Sequence, residues 1–247
     1  MKVALAVVAV FGAGTIPVTT LPRPPFPGPV ASAEEASRLV VVSSRQVSPS
    51  LGRETSPCAL AGLPETMRGL PLQRTLCPGG RRFALYGKDG ASSRILLGGD
   101  TYAYDFQRYV WPPRIRRGER EFVYEEIVWA REANGVLYVQ NAHLTYARSS
   151  YGQNAYITAI DPATGRRLWR SRALVSNAQT FVVTPRFLVT GYGFTAEPDW
   201  LYLLDRKTGR IVERLALASA PERITRRGGQ LIVRTYDHVL TVRLRNS

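Results

Sequence analysis

A turn sequence that occurs twice limits what this chain can fold into more than any other feature. The first copy reads AIDPATGRRLW at residues 159–169, and the second reads LLDRKTGRIVE at 203–213, 44 residues later. Three residue types keep the same offsets in both copies: Asp161, Thr164 and Gly165, then Asp205, Thr208 and Gly209. Self-similarity at this period predicts an array of repeated β-units.

The chemistry of the two turns predicts a hairpin at each copy. Pro162 fixes φ at the first turn position, and the Asp161 carboxylate can accept hydrogen bonds from amides two or three residues on. Gly165 supplies the left-handed conformation that closes a longer hairpin loop. Arg206 replaces the proline in the second copy, which a type I turn tolerates. The alternative interpretation is two unrelated hairpins with similar turn residues.

Short blocks rich in β-branched and aromatic residues surround each turn. They lie at 126–130 and 135–139, at 180–184 and 186–190, and at 222–226, 230–234 and 239–244. Each unit therefore contains a strand, a tight break, a strand, a loop, a strand, a turn and a strand. Four antiparallel strands per unit is the composition of a propeller blade, so the predicted fold is an all-β propeller of four-stranded antiparallel blades.

The length predicts about four or five blades. After a leader of 33 residues, 247 − 33 = 214 residues remain for one domain at 34–247, and a blade takes roughly 40–45 residues. The last unit stops after its third strand, so a strand from the other end of the chain is expected to close it, with 38–43 as the candidate. The stretch 34–93 is expected to be irregular. A degraded unit is predicted around 94–105, where Ala103, Asp105 and Trp111 echo Ala159, Asp161 and Trp169.

The first 33 residues have the features of an export signal followed by a proline-rich leader. Lys2 precedes an apolar run at 3–11 that is too short to span a bilayer, and Ala31-Ser32-Ala33 fits a small-x-small cleavage site. Cleavage near residues 12–14 would instead leave a proline-rich arm. No cysteine follows the run, so a lipoprotein anchor is not expected. The predicted location is secreted or periplasmic, with no transmembrane segment in the mature chain.

The chain has two cysteines, Cys58 and Cys77. In an exported protein an isolated pair predicts one disulfide. Two unpaired thiols are the alternative if the leader is retained.

The formal net charge is +14, from 33 basic and 19 acidic residues. A surface this positive attracts anionic partners such as acidic glycans and lipid head groups. The basic clusters at 114–117, 166–167 and 223–227 are dispersed along the chain. Dispersed charge favours a general field over a specific nucleic-acid groove. The expected partner is therefore an envelope protein or an anionic polymer.

Residues with recognisable catalytic or ligand-binding spacing are scarce. His143 and His238 each lack a second metal ligand at a recognised spacing. Gly191 to Ala196 matches the dinucleotide pattern Gly-x-Gly-x-x-Ala, but Glu197-Pro198-Asp199 follows where a helix would have to begin. We therefore predict no catalytic, cofactor-binding or metal-binding residue, and a non-enzymatic role is favoured.

Aromatic side chains are the remaining candidates for contact with a partner. Trp129 and Trp169 are expected to pack between blades, where large rings fill space. The predicted contact aromatics lie in or beside longer loops: Tyr146, Tyr151, Tyr192 and Trp200.

The pattern Ala159-x-Asp161-x-x-Thr164-Gly165-x-x-x-Trp169 resembles the repeat of the pyrroloquinoline-quinone-like, or quinoprotein dehydrogenase-like, β-propellers. The resemblance covers about residues 94–244. It implies that Trp169 docks against the neighbouring blade. The second copy departs from the pattern, with Leu203 for the alanine and Glu213 for the tryptophan.

The resemblance does not imply quinone chemistry. Catalytic members hold the quinone and calcium with a catalytic Asp and a disulfide between adjacent cysteines, whereas Cys58 and Cys77 are far apart. The similarity is greater to the non-catalytic branch, which includes the periplasmic scaffold of the outer-membrane protein assembly machine. The expected function is an exported protein- or glycan-binding scaffold of the bacterial envelope. The alternative is a small periplasmic enzyme such as a divergent quinone-dependent dehydrogenase, and the oligomeric state is left open.

Overall fold

Four antiparallel sheets make up the part of the chain that the computed structural model describes, which is residues 38–49, 62–88, 92–99, 102–106, 125–143, 146–148, 150 and 152–245. These residues form seventeen strands and one short 3-10 turn at Pro78–Gly80, and they contain no α-helix. Within each sheet the strands are joined as meanders of hydrogen-bonded neighbours. This is the architecture of propeller blades, and the predicted fold class is confirmed.

We number the sheets as blades 1 to 4 in chain order. Blade 1 contains β2 (Thr66–Met67), β3 (Leu70–Leu76), β4 (Phe83–Lys88), β5 (Ser92–Gly98) and β6 (Tyr102–Asp105). Blade 2 contains β7 (Glu125–Ala133), β8 (Val136–His143), β9 (Tyr156–Ile160) and β10 (Arg167–Arg170). Blade 3 contains β11 (Val182–Val183), β12 (Phe187–Tyr192), β13 (Trp200–Asp205) and β14 (Ile211–Ala216). Blade 4 contains β15 (Pro221–Arg227), β16 (Gln230–Thr235), β17 (His238–Leu244) and β1 (Leu39–Gln46).

Blade 4 is completed by the strand from the beginning of the described chain. β1 pairs antiparallel with β17, in register from Leu39 opposite Leu244 to Gln46 opposite His238. Backbone hydrogen bonds extend the pairing past both ends, since Val47 N donates to Asp237 O at 2.8 Å and Arg245 N donates to Arg38 O at 2.9 Å. The last blade therefore has the fourth strand that its own segment lacks.

The degraded unit proposed around residues 94–105 has a different register in the structure. β6 is the last of the five strands of blade 1 and follows β5 directly, with Ile95 opposite Asp105. Asp105 therefore does not correspond to the turn aspartate Asp161, and Trp111 lies outside the described residues. The predicted register was wrong because three matching residues without the Thr-Gly turn do not fix a register. The stretch 34–93, expected to be irregular, includes β1 to β4.

The apolar core lies between successive blades. One cluster joins blades 1 and 2, a second joins blades 2 and 3, and a third joins blades 3 and 4. Every residue of β12 is buried, as is the Leu201–Leu204 run of β13. A strand covered on both faces loses the polar alternation of a half-exposed strand, which explains why these segments read as nearly continuous apolar runs.

Trp169 fixes the junction of blades 2 and 3. Its ring lies against Gly209 in the turn of blade 3, where a Cβ atom would be 2.4 Å from the ring Cε3. The indole Nε1 donates to Arg206 O at 3.2 Å, and the ring centroid is 6.0 Å from that of Tyr138. Gly209 therefore supplies both a positive φ of 70° and the space for the ring.

Glu213 occupies the position of Trp169 in blade 3, since Trp169 pairs with Ala159 and Glu213 pairs with Leu203. Its carboxylate accepts hydrogen bonds from Arg38 N at 2.8 Å and from Leu39 N at 3.1 Å. These two amides lie at the start of the closing strand. Where blade 2 has Trp169 packed against the turn of the next blade, blade 3 has Glu213, which hydrogen-bonds to the backbone of β1.

Replacement of each turn glycine by alanine tests the docking. Gly165 has a φ of 68°, but the atom nearest to an added Cβ would be Tyr104 Cδ2 at 4.0 Å. Gly165→Ala is therefore expected to cost only the free energy of placing alanine in the left-handed conformation, roughly 1 to 2 kcal/mol. Gly209→Ala should cost roughly 1 to 3 kcal/mol more because the methyl group overlaps the indole. Urea unfolding measures both. In a Trp169→Ala background the two glycine substitutions should have similar costs, and a persistent difference would contradict the docking.

Candidate functional site on the loop face

The meander of each blade separates two kinds of connection. The first and third connections of a blade lie at one edge of its sheet, and the second connection and the link to the next blade lie at the other. We call the first edge the turn face; it contains residues 134–135, 161–166, 184–186, 205–210 and 228–229. The other edge, the loop face, contains residues 146–148, 150, 152–155, 171–181, 193–199, 217–220 and 236–237.

The repeat turns on the turn face satisfy their own polar groups. The Asp161 carboxylate accepts hydrogen bonds from Ala163 N at 3.0 Å and Thr164 Oγ1 at 2.7 Å, and Gly165 N donates to Asp161 O at 2.8 Å. These bonds, chiefly the one from Thr164, lower the pKa of Asp161. Asp205 likewise accepts from Thr208 Oγ1 at 2.8 Å. The carboxylates stabilise the turns and leave little capacity for a ligand.

Arg206, which sequence reasoning treated as a tolerated replacement for proline, bridges two blades. Its Nε donates to the Tyr138 hydroxyl at 2.8 Å and its Nη2 donates to Ala133 O at 2.9 Å, both on blade 2. Its Nη1 donates to Thr184 O of blade 3 at 3.3 Å. No sequence pattern pointed to this role, because it depends on which backbone carbonyls the fold brings near the turn.

The exposed aromatic side chains of the described residues, Tyr146 and Tyr236, lie on the loop face. Tyr146 is 39% exposed, and its ring meets Phe194 edge to face with centroids 4.6 Å apart. Tyr236 is 42% exposed on the adjacent loop of blade 4. Phe194 and Tyr236 were not among the predicted contact residues. Phe194 lies in the 193–199 loop between Tyr192 and Trp200, so the loop criterion could have found it, whereas Tyr236 lies in a two-residue turn that this criterion passes over.

The other predicted contact aromatics have different positions. Tyr192 is fully buried, so its prediction as a contact residue was wrong: it points into the core between blades 2 and 3. Trp200 is partly buried, and the Arg214 guanidinium lies 4.2 Å from its ring centroid. Tyr151 lies outside the described residues. Of the four predicted residues, Tyr146 is the one that the structure places openly at the surface.

Glu197 joins the loops of blades 2 and 3. Its Oε1 accepts a hydrogen bond from Ala147 N at 2.6 Å, and its Oε2 accepts one from the Tyr192 hydroxyl at 2.5 Å. Burial and this hydrogen bond raise the pKa of Tyr192, so the phenol stays protonated and remains a donor. Since Ala147 adjoins Tyr146, the carboxylate holds the Tyr146 and Phe194 loops in one arrangement.

Two further carboxylates lie near Glu197. Burial, with smaller contributions from the charges of Asp237 and Glu197, raises the pKa of Asp199 to about 6. Asp199 Oδ1 is buried and has no hydrogen-bond partner among the described residues. Asp237 bonds to His238 Nδ1 at 2.7 Å and to the Ser219 hydroxyl, and these bonds lower its pKa. The loop face thus carries a group of three carboxylates, besides the exposed Arg148 and Arg172, in a chain of net charge +14.

The remaining predicted groups are placed as follows. His238 bonds to Asp237, whereas the side chain of His143 is not among the described side chains. Within the described ranges no group of three or more His, Cys, Asp or Glu residues could hold a metal ion. Those ranges also contain no helix that is long and apolar enough to cross a membrane.

Cys77 is disulfide-bonded, and the described residues contain no free cysteine. Cys58 lies outside the described residues. Cys58 is the only other cysteine in the sequence. Its pairing with Cys77 nevertheless stays a prediction.

No protein-family profile and no curated protein matches this chain. Solved structures with a similar fold include the computationally designed Ika4 protein, at 8% identity and a TM-score of 0.43, covering 72% of this chain and 92% of Ika4. BamB from Moraxella catarrhalis is 13% identical with a TM-score of 0.35, covering 70% of each chain. The chain spans 46% of the designed Ika8 protein, at 9% identity and a TM-score of 0.42 over 70% of this chain. Likeness at this level carries no argument about function.

The raised pKa of Asp199 predicts the sign of a pH effect. Because the carboxyl binds its proton more tightly when folded, stability falls as pH rises from about 4 towards about 6, and the ionised group destabilises the fold above that range. Asp199→Asn should therefore raise the urea midpoint at pH 8, with the gain disappearing towards pH 4.

Asp161→Asn is the matched control because the pKa of Asp161 is lowered. It should be less stable than the parent at pH 8, and this deficit should also disappear on acidification as the parent's carboxyl is protonated. Loss of stability in Asp199→Asn at pH 8 would contradict the assignment.

Proposed function

We propose that this chain is an exported, non-enzymatic propeller that holds a protein partner in the bacterial cell envelope through its loop face. The observation that carries the proposal is the Glu197 contact, which fixes Tyr146 and Phe194 side by side at the surface. A surface that is ordered before binding loses less conformational entropy when a partner arrives.

The composition of the loop face suits a protein ligand. Aromatic rings supply contact area with few rotatable bonds, and tyrosine is enriched at the energetic centres of protein interfaces. Glu197, which bonds to the backbone beside Tyr146, is electrostatically coupled to Asp199, and Asp199 is coupled to Asp237, so three carboxylates lie on this face. A partner segment with an apolar anchor flanked by lysine or arginine would complement this arrangement.

Export is supported by the leader and by the disulfide. Residues 1–33 have the charge and apolar pattern of a signal followed by a proline-rich stretch, and residues 34–247 would then form one propeller domain. Disulfides persist in oxidising compartments such as the periplasm, and Cys77 is disulfide-bonded. We further propose membership of the pyrroloquinoline-quinone-like propellers, supported by the repeat pattern and by the contact of Trp169 with Gly209.

A quinone-dependent dehydrogenase is the competing function. It is favoured only by the resemblance of the repeat. The two hypotheses differ in a simple assay, because a quinone enzyme acquires dye-linked dehydrogenase activity when the quinone and Ca²⁺ are added.

Photo-crosslinking at residue 146 tests the binding surface in cells. A photoreactive phenylalanine analogue at Tyr146 is expected to give a discrete adduct with one protein. The same analogue at Leu168, which is 43% exposed on β10, should not. Glu197→Gln weakens the acceptor for Ala147 N and Tyr192, so it should reduce the adduct at 146 several-fold.

Equal adducts at positions 146 and 168 would contradict the proposed surface. Dye-linked activity of the purified protein with quinone and Ca²⁺ would contradict the non-enzymatic role. The first result would rule out the loop face as the binding surface, and the second would rule out a non-enzymatic protein.

The cysteine pairing is tested on protein purified from the cell envelope. Proteolysis without reductant is expected to release one peptide pair that joins Cys58 to Cys77, because both are the only cysteines of the chain. Mass spectrometry before and after reduction identifies it. Alkylation of both thiols in unreduced protein would contradict the pairing and the predicted oxidising location.

A further inference from the structure

One face of the blade 4 sheet packs on blade 3, and the opposite face is rich in arginine. The inner face packs on blade 3 through Ile224, Leu231, Val233 and Val242. Successive residues of a strand point to opposite faces, and directly paired residues of neighbouring strands point to the same face. The opposite face can therefore be read from the strand register.

Two rows of paired residues cross this opposite face. In the first row Arg223 pairs with Arg234, Arg234 with Val239, and Val239 with Arg45. In the second row Thr225 pairs with Ile232, Ile232 with Thr241, and Thr241 with Ser43. Two positions further along the strands, Arg227 pairs with Gln230 and Arg243 with Val40. We call this surface the arginine face, defined by Arg45, Arg223, Arg227, Arg234 and Arg243.

The arginine face is accessible within the described structure. Arg45, Arg227 and Arg243 are exposed, and Arg234 is partly exposed. Neighbouring strands are about 4.8 Å apart, so Arg45 and Arg234, two strands apart, have backbones separated by about 10 Å. Arg223 and Arg234 are adjacent across the strands. Five arginine residues thus share one face of the blade 4 sheet.

This arrangement does not help the sheet to fold, because like charges directly opposite on neighbouring strands are destabilising. Glu222 offsets part of this repulsion: its carboxylate forms an ion pair with Arg234 at 3.7 Å and also interacts with the charge of Arg223, and Arg234 Nη2 donates a hydrogen bond to Ser48 O at 2.7 Å. The exposed residues Arg45, Arg227 and Arg243 have no ion pair among the described residues. The concentrated charge is therefore suited to an external anion.

We propose that the arginine face binds a linear anionic polysaccharide that carries carboxylate or sulfate groups. Guanidinium groups recognise such groups through paired hydrogen bonds. Ser43, Thr225 and Thr241 lie in the row between the arginines, where their hydroxyls can exchange hydrogen bonds with sugar hydroxyls. This surface is separate from the loop face, and the proposal stands independently of the protein partner proposed above.

Two other polyanions fit the arginine face less well. Its rows contain no aromatic residue, and proteins that bind single-stranded nucleic acid stack bases on aromatic rings. Ile232 and Val239, the apolar residues at the middle of the face, are partly buried between the polar side chains. A membrane-binding surface instead presents apolar side chains for insertion.

Titration of the full chain with heparin tests the proposal. The triple variant Arg45→Gln, Arg227→Gln, Arg243→Gln is expected to lose at least tenfold in affinity at 0.15 M salt, and the slope of log affinity against log salt should fall by roughly two to three. The control Arg166→Gln, Arg172→Gln, Arg210→Gln removes the same charge from exposed positions on blades 2 and 3 and should stay within about twofold. Tyr146→Ala should leave heparin affinity unchanged.

A second variant separates recognition from charge alone. Replacing Arg45, Arg227 and Arg243 by lysine keeps the charge and removes the paired hydrogen bonds, so its affinity should lie between those of the parent and the glutamine variant. Equal losses in the glutamine and control triples would show a general field and overturn the proposal. Tighter binding to a single-stranded oligonucleotide or to anionic phospholipid vesicles, lost in the same glutamine variant, would overturn the choice of a glycan.

Discussion

Contact between successive blades is the interaction on which the rest of the structure depends. At the junction of blades 2 and 3 the Trp169 ring lies on Gly209, and the Arg206 side chain reaches the carbonyl of Ala133. At the next junction Glu213 holds the first amides of the closing strand. A blade cannot bury an apolar sheet face by itself, so these contacts decide the relative positions of the sheets and of both surfaces proposed here.

The two proposed surfaces differ in charge and in construction. The loop face carries a group of three carboxylates and is ordered by a partly buried hydrogen-bond bridge through Glu197. The arginine face is basic and is ordered by strand register alone. Their separation on one rigid β-scaffold would allow a protein and an anionic polymer to be held at once. Such a role is consistent with an envelope scaffold and needs no catalytic group.

The turns and strands were predictable because their determinants are local. Asp161, Thr164 and Gly165 bond to one another within five residues, so their pattern is visible in the sequence. Tyr192 was misassigned as a contact residue because a loop-adjacent tyrosine looks the same in sequence whether it faces solvent or the core. Arg206 was undervalued for a related reason, since its partners at positions 133, 138 and 184 are distant in sequence.

The sequence by itself determined the all-β class, the repeat period, the two tight turns and the need for a closing strand, because turn chemistry and strand alternation act over a few residues. Only the tertiary structure decided which aromatic side chains reach the surface and where the positive charge collects. Arg45 and Arg243 are almost two hundred residues apart, yet β1 and β17 are neighbours. Arginines that are distant in sequence share one face because antiparallel pairing joins residues by register and not by sequence distance.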